Sequence, residues 1–150
     1  MIFWFTGQPG HGKTTLALAL IERLRSDGHA PFHIDGDDLR SLTANTDYSR
    51  AGREANIRRA ATIAHYLHNK GETAVVSLVA PYRAIREELK AVAPVHEVYV
   101  HTSELRGRED KAAADYEPPT ESFIAIDTTA RTIASCLDEL LQHIELPPAR

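Results

Sequence analysis

Gly7-Gln8-Pro9-Gly10-His11-Gly12-Lys13-Thr14 follows directly on the apolar run Ile2-Phe3-Trp4-Phe5. Apolar side chains on consecutive residues predict a strand buried on both faces, as in a parallel sheet. The loop reads G-x-x-x-x-G-K-T. Its glycines let backbone N–H groups turn inward around phosphate oxygens, and the helix that follows presents its positive end to the same anion. Lys13 is expected to reach the β- and γ-phosphates, and the Thr14 hydroxyl to coordinate Mg²⁺. Gly7 through Thr14, with Thr15 beside them, form the expected ATP-binding segment.

Outward from this loop, short apolar runs alternate with helical patterns. Helices are expected from about Thr14 to Arg25, Arg50 to Asn69, Ala84 to Val92 and Thr129 to Ile144, and also over Ser103–Ala114. Strands are expected at Pro31–Ile34, Thr73–Val79, Val95–Val100 and Phe123–Ile126. This alternation predicts an α/β fold: a five-stranded, mainly parallel sheet with helices on both faces. Ligands then bind beyond the carboxyl ends of the strands. The tail Pro147-Pro148-Ala149-Arg150 reads as a frayed terminus.

Composition sets the outer bounds. The chain has 150 residues, 43% hydrophobic and 25% charged, with a net charge of −4, which suits one globular domain spanning 1–150. Cys136 is the single cysteine, so no intrachain disulfide is possible, in keeping with a cytoplasmic location. No apolar run is long enough to span a bilayer, and the apolar start lacks a basic leader. A mildly acidic chain argues against a nucleic-acid partner held by charge. His65 and His68 lie three apart on a helix, but no third ligand has suitable spacing, so they read as ordinary imidazoles.

The strand ends carry the remaining chemistry. After the second strand, Asp35 is placed to complete the Mg²⁺ shell or to take a proton from an attacking hydroxyl. Asp37 or Asp38 is expected to cap the short helix that follows. Arg53 and Asn56, three apart on the long helix, share a face and suit an anionic substrate. Arg83 and Arg86 follow the third strand. Arg106 and Arg108 fall in a charged segment that reads as a lid, one of them covering the transferring phosphoryl group.

Together these residues resemble the adenylylsulfate kinase family of P-loop kinases. The resemblance rests on Gly7–Thr14, Asp35-Gly36-Asp37, Tyr48-Ser49…Arg53…Asn56-Ile57-Arg58-Arg59, Pro81-Tyr82-Arg83…Arg86, Arg108, Lys111, Tyr116-Glu117-Pro118-Pro119 and Ile126-Asp127-Thr128. It implies a P-loop NTPase fold and transfer of the γ-phosphoryl group of ATP to the 3′-hydroxyl of adenylylsulfate. It also implies Lys13, Asp35 and Arg108 as catalytic residues, and Mg²⁺ at Thr14 and Asp35. Asp37, Asp38, Arg40, Tyr48, Arg53 and Asn56 would contact the small-molecule acceptor, with Val79 and Ala80 contributing backbone. Members are often homodimers.

Three departures stand out. Ala80 replaces a serine that many members carry. Arg50, Gly52 and Ala55 stand where the family often has acidic residues. Only Ala112-Ala113-Ala114-Asp115 separates Lys111 from Tyr116, where the family has a longer stretch whose Phe-Thr-Gly segment closes over the substrate adenine. Two other readings stay open: a kinase acting on a sugar, polyol or modified nucleotide, and a non-catalytic ATP-binding switch.

Overall fold

The computed structural model describes residues 1–148; the expectation of a frayed end at Ala149 and Arg150 lies outside them. Strand β1, Ile2–Thr6, is buried at every position. Its side chains alternate across the sheet, as the pleat requires. Ile2 and Trp4 enter one core cluster, whereas Phe3 and Phe5 enter the other.

The chain continues through α1 (Lys13–Ser26), β2 (Phe32–Asp35), α2 (Gly36–Thr43), α3 (Arg50–Asn69), β3 (Ala74–Ser77), α4 (Arg83–Val92), β4 (Val95–His101), β5 (Phe123–Asp127) and α5 (Ile133–His143). The strands lie in the order β2-β3-β1-β4-β5, and every pairing is parallel. The "mainly parallel" expectation is thus sharpened to a wholly parallel sheet. Helices α1 and α5 cover one face through Leu16, Leu20, Leu24, Cys136 and Leu140. Helices α3 and α4 cover the other through Ile57, Ala60, Ala64, Ile85 and Leu89.

Two expected elements differ. The third strand pairs only over Ala74–Ser77, because the chain then leaves the ladder toward Ala80, a non-glycine residue at φ +45°. Ser103–Ala114 is not a helix; it contains one 3-10 turn, Glu109–Lys111. The cause is the absence of an apolar stripe. Every residue from Ser103 to Ala112 is exposed, and Gly107, at φ +77°, interrupts any helical run.

Candidate active site

The carboxyl ends of β1, β2 and β3 open into one cleft of about 1300 Å³. The loop after β1 forms its floor. Gly7 sits at φ +151°, and a Cβ there would lie 2.2 Å from the Val100 carbonyl oxygen of β4; only glycine lets the loop start this close to the sheet. Gly10 and Gly12 also have positive φ, and Gly12 leads into α1. Pro9, Gly10, Gly12, Lys13, Thr14 and Thr15 line the cleft.

Lys13 is buried and donates from Nζ to the Gln8 carbonyl at 2.9 Å. Burial pushes its pKa down to about 8, and the nearby Arg108 guanidinium pushes the same way; Asp37 and Asp35 oppose them. A cation so poorly solvated is primed to gain from an arriving phosphate.

Asp35 ends β2 and caps α2. Its Oδ2 accepts from the backbone N–H groups of Asp37 at 3.1 Å and Asp38 at 3.4 Å. The cap is therefore Asp35, in place of the expected Asp37 or Asp38, because the strand's last residue is the one in extended conformation (φ −99°, ψ 138°) before the helix turns. Its Oδ1 accepts from Thr14 Oγ1 at 3.4 Å and from Ser77 Oγ at 2.9 Å. Ser77 in turn lies 2.9 Å from His33 Nε2. Sequence reasoning missed Ser77 and His33. The parallel register that sets Asp35 beside Ser77 and His33 beside Val75 is not visible in local pattern.

The acceptor side is built by α2, α3 and the turn after β3. Asp37, Arg40, Tyr48, Arg53, Asn56, Val79 and Ala80 all reach the cleft. Asp38 does not line it and is exposed: one step from Asp37 is about 100° around the helix, which turns its side chain outward. Arg40 stacks on the Tyr48 ring at 4.1 Å and donates to the carbonyls of Asn45 at 3.2 Å and Asp47 at 2.9 Å. Asn56 is buried and donates to the Gly36 carbonyl at 3.2 Å, leaving its Oδ1 unpartnered.

Arg53 meets Asp115 at 3.3 Å. Arg86 turns away from the cleft. The residue is 2% exposed, and its guanidinium is held by Glu97 at 3.1 Å and by the carbonyls of Ala80 and Glu117.

The lid segment lies against the loop. Gln8 is not in the cleft lining: its amide donates to the Ala113 carbonyl at 2.8 Å and accepts from the Ala113 N–H at 2.9 Å. His11 is likewise outside the main lining and faces a neighbouring cavity of about 160 Å³. Burial, then Lys13, holds its pKa below the usual imidazole value.

Both lid arginines reach the cleft, with different commitments. Arg106 pairs with Glu104 at 2.7 Å and donates to the Thr128 and Gly10 carbonyls. Arg108 lies across Gly10, within 3.5 Å of where a Cβ would stand, and has no carboxylate partner among the described residues. Tyr116 shares a 2.9 Å hydrogen bond with Thr6, and burial pushes its pKa up to about 12.

A glycine-rich loop between a central parallel strand and a helix, a lysine and a threonine at its end, and a carboxylate facing the threonine define a P-loop phosphotransferase site. The chain belongs to the adenylylsulphate kinase family, whose profile matches residues 1–123. It is 34% identical to the adenylyl-sulfate kinase of Chloroflexus aurantiacus over 165 residues, covering 97% of this chain and 89% of the relative. It is 35% identical to the probable adenylyl-sulfate kinase of Synechocystis over 161 residues, covering 94% and 89%. These spans exceed the 150 residues of the chain, so the relatives carry internal residues that it lacks. The solved Mycobacterium tuberculosis APS kinase CysC in complex with AMPPNP and APS superposes with a TM-score of 0.80, covering 94% of this chain and 95% of that one. At 24% identity, that is a likeness of fold.

Proposed function

We propose that this chain transfers the γ-phosphoryl group of ATP to the 3′-hydroxyl of adenylylsulfate, giving 3′-phosphoadenylylsulfate. One observation carries the reading. The phosphate loop, Asp35 and the acceptor-side group Arg40, Arg53 and Asn56 open into the same cleft, so donor and acceptor can meet in line.

Lys13 and the loop N–H groups hold the β- and γ-phosphates. Asp35 orients the acceptor hydroxyl and receives its proton; the Ser77 hydroxyl, donating to Oδ1, keeps the carboxylate turned into the cleft. Arg108 covers the charge that develops on the transferring group, since Arg106 is already committed to Glu104 and two carbonyls. Arg40, Arg53 and Asn56 fix the acceptor, with Asp37, Tyr48, Val79 and Ala80 around it. Most of the rate comes from this positioning and electrostatics.

Thr14 Oγ1 and Asp35 Oδ1, 3.4 Å apart, are hard oxygen donors of the kind Mg²⁺ takes alongside phosphate oxygens and waters. Held there, the ion would neutralise charge on the β- and γ-oxygens. Among the described residues no helix is long and apolar enough to cross a membrane. A cytoplasmic location and a homodimer go with the reading, the latter from the family resemblance.

An ADP-release assay across acceptors tests it. Adenylylsulfate is expected to yield product, and turnover of a sugar or polyol with none on adenylylsulfate would defeat the assignment. Asp35→Asn should keep the helix cap and ATP binding but lose at least about 100-fold in kcat.

A further inference from the structure

The short stretch between Lys111 and Tyr116 ends in a carboxylate, and that carboxylate is not free. Asp115 Oδ1 lies 3.3 Å from Arg53 Nη1, and the Tyr82 hydroxyl lies close to both side chains. The next two residues are anchored: Tyr116 to Thr6 at 2.9 Å, and Glu117 N–H to the Pro81 carbonyl at 2.8 Å. Asp115 therefore stays within reach of Arg53 even when the two part.

We propose that Asp115 is a specificity-determining residue of the acceptor site, an internal carboxylate that occupies Arg53 until an anionic acceptor displaces it. This deepens the kinase reading above and rests on it.

The pair is built to exchange. It has a single N–O contact, with side chains 26% and 49% exposed, and pairs of that kind contribute little. The contrast is Arg86–Glu97, where both side chains are 1% exposed. A phosphate or sulfate oxygen replacing the carboxylate leaves the guanidinium paired, so an anionic acceptor loses little by opening the contact. A neutral sugar would strand Arg53 or leave it with Asp115, gaining nothing from the arginine. The other acceptor-side arginine, Arg40, is seated by the Asn45 and Asp47 carbonyls and has no carboxylate ion pair among the described residues, so an acceptor displaces nothing there. Beside Arg53, the buried and unpartnered Asn56 Oδ1 offers an acceptor to a ligand hydroxyl or amino group. The favoured class thus carries an anionic group together with a hydrogen-bond donor, as a nucleotide does.

The test separates binding from turnover. AMP is titrated calorimetrically into the ADP-loaded wild type, Asp115→Asn, Arg53→Ala and the double variant, and adenylylsulfate kinetics are measured on the first two. In Asp115→Asn, AMP should bind about two- to five-fold tighter. The adenylylsulfate KM should fall by the same factor, with kcat changed by less than about twofold. In the Arg53→Ala background, Asp115→Asn should bring no gain. Unchanged or weaker AMP binding in Asp115→Asn, the same gain without Arg53, or no AMP binding in any of the four would overturn the proposal. AMP binding that tightens as expected, with no turnover of adenylylsulfate, would support the gate and defeat the acceptor assignment.

Discussion

Lys13 shows what a single side chain contributes and what it costs. Its ammonium is buried against the protein's own carbonyl, with a pKa near 8 in place of 10.5. At neutral pH the folded state therefore holds a cation it solvates poorly, a penalty of about 3 kcal/mol. The sign follows from proton counting. Between pH 8 and 10.5 the unfolded chain keeps the proton that the folded chain has shed, so stability rises with pH across that window. Lys13→Met should abolish turnover, stabilise the nucleotide-free protein by up to about 3 kcal/mol at pH 7, and flatten that rise; urea unfolding at pH 7 and pH 10 measures both. ATP affinity of the wild type should weaken above pH 8, as the loop loses its charge.

The loop that joins α2 to α3 sets the acceptor side through backbone contacts. Asn45 bridges its two ends, donating to the Gly52 carbonyl at 3.0 Å while its Oδ1 accepts from the Asp47 N–H at 3.0 Å. The Asp47 carbonyl then anchors Arg40. Gly52 is what lets α3 start so near: a Cβ there would lie 2.1 Å from the Asp47 carbonyl oxygen. Any side chain at this position would collide with the loop as it stands. Gly52→Ala has to push the loop, and Arg40 with it, off its seat. Its KM for the acceptor should rise about tenfold, with ATP affinity unchanged, because the phosphate loop lies on another strand; steady-state kinetics on both substrates checks this.

Across the molecule, the two-sided sheet puts rigid core directly beneath a cleft whose lining mixes polar and apolar groups. The link between them is the buried cluster Arg86–Glu97–Lys90, which joins α4 to β4 and ties the turn after β3 to the lid's return through the Ala80 and Glu117 carbonyls. A buried pair adds little net stability when intact but is costly to break. Glu97→Gln should cost about 3–5 kcal/mol in urea unfolding, far more than the loss of the exposed Arg58–Glu88 pair on the outside of α3 and α4.

What the sequence by itself determined was local: the phosphate loop between an apolar run and a helix, the alternation that demands a parallel sheet, and the placement of Asp35, Arg53 and Asn56 after strands or on a helix face. Those features depend on residues a few positions apart, and backbone periodicity exposes them. Only the tertiary structure decided which partners these side chains keep. Arg53 meets Asp115 across 62 positions, Gln8 meets Ala113 across 105, and Asp35 meets Ser77 across 42. The same decision made Arg86 a buried strut and turned the expected lid helix into an exposed segment pinned at Gln8. Such pairings follow from strand register and from the path of a loop without periodicity, and neither is encoded within a local stretch of chain.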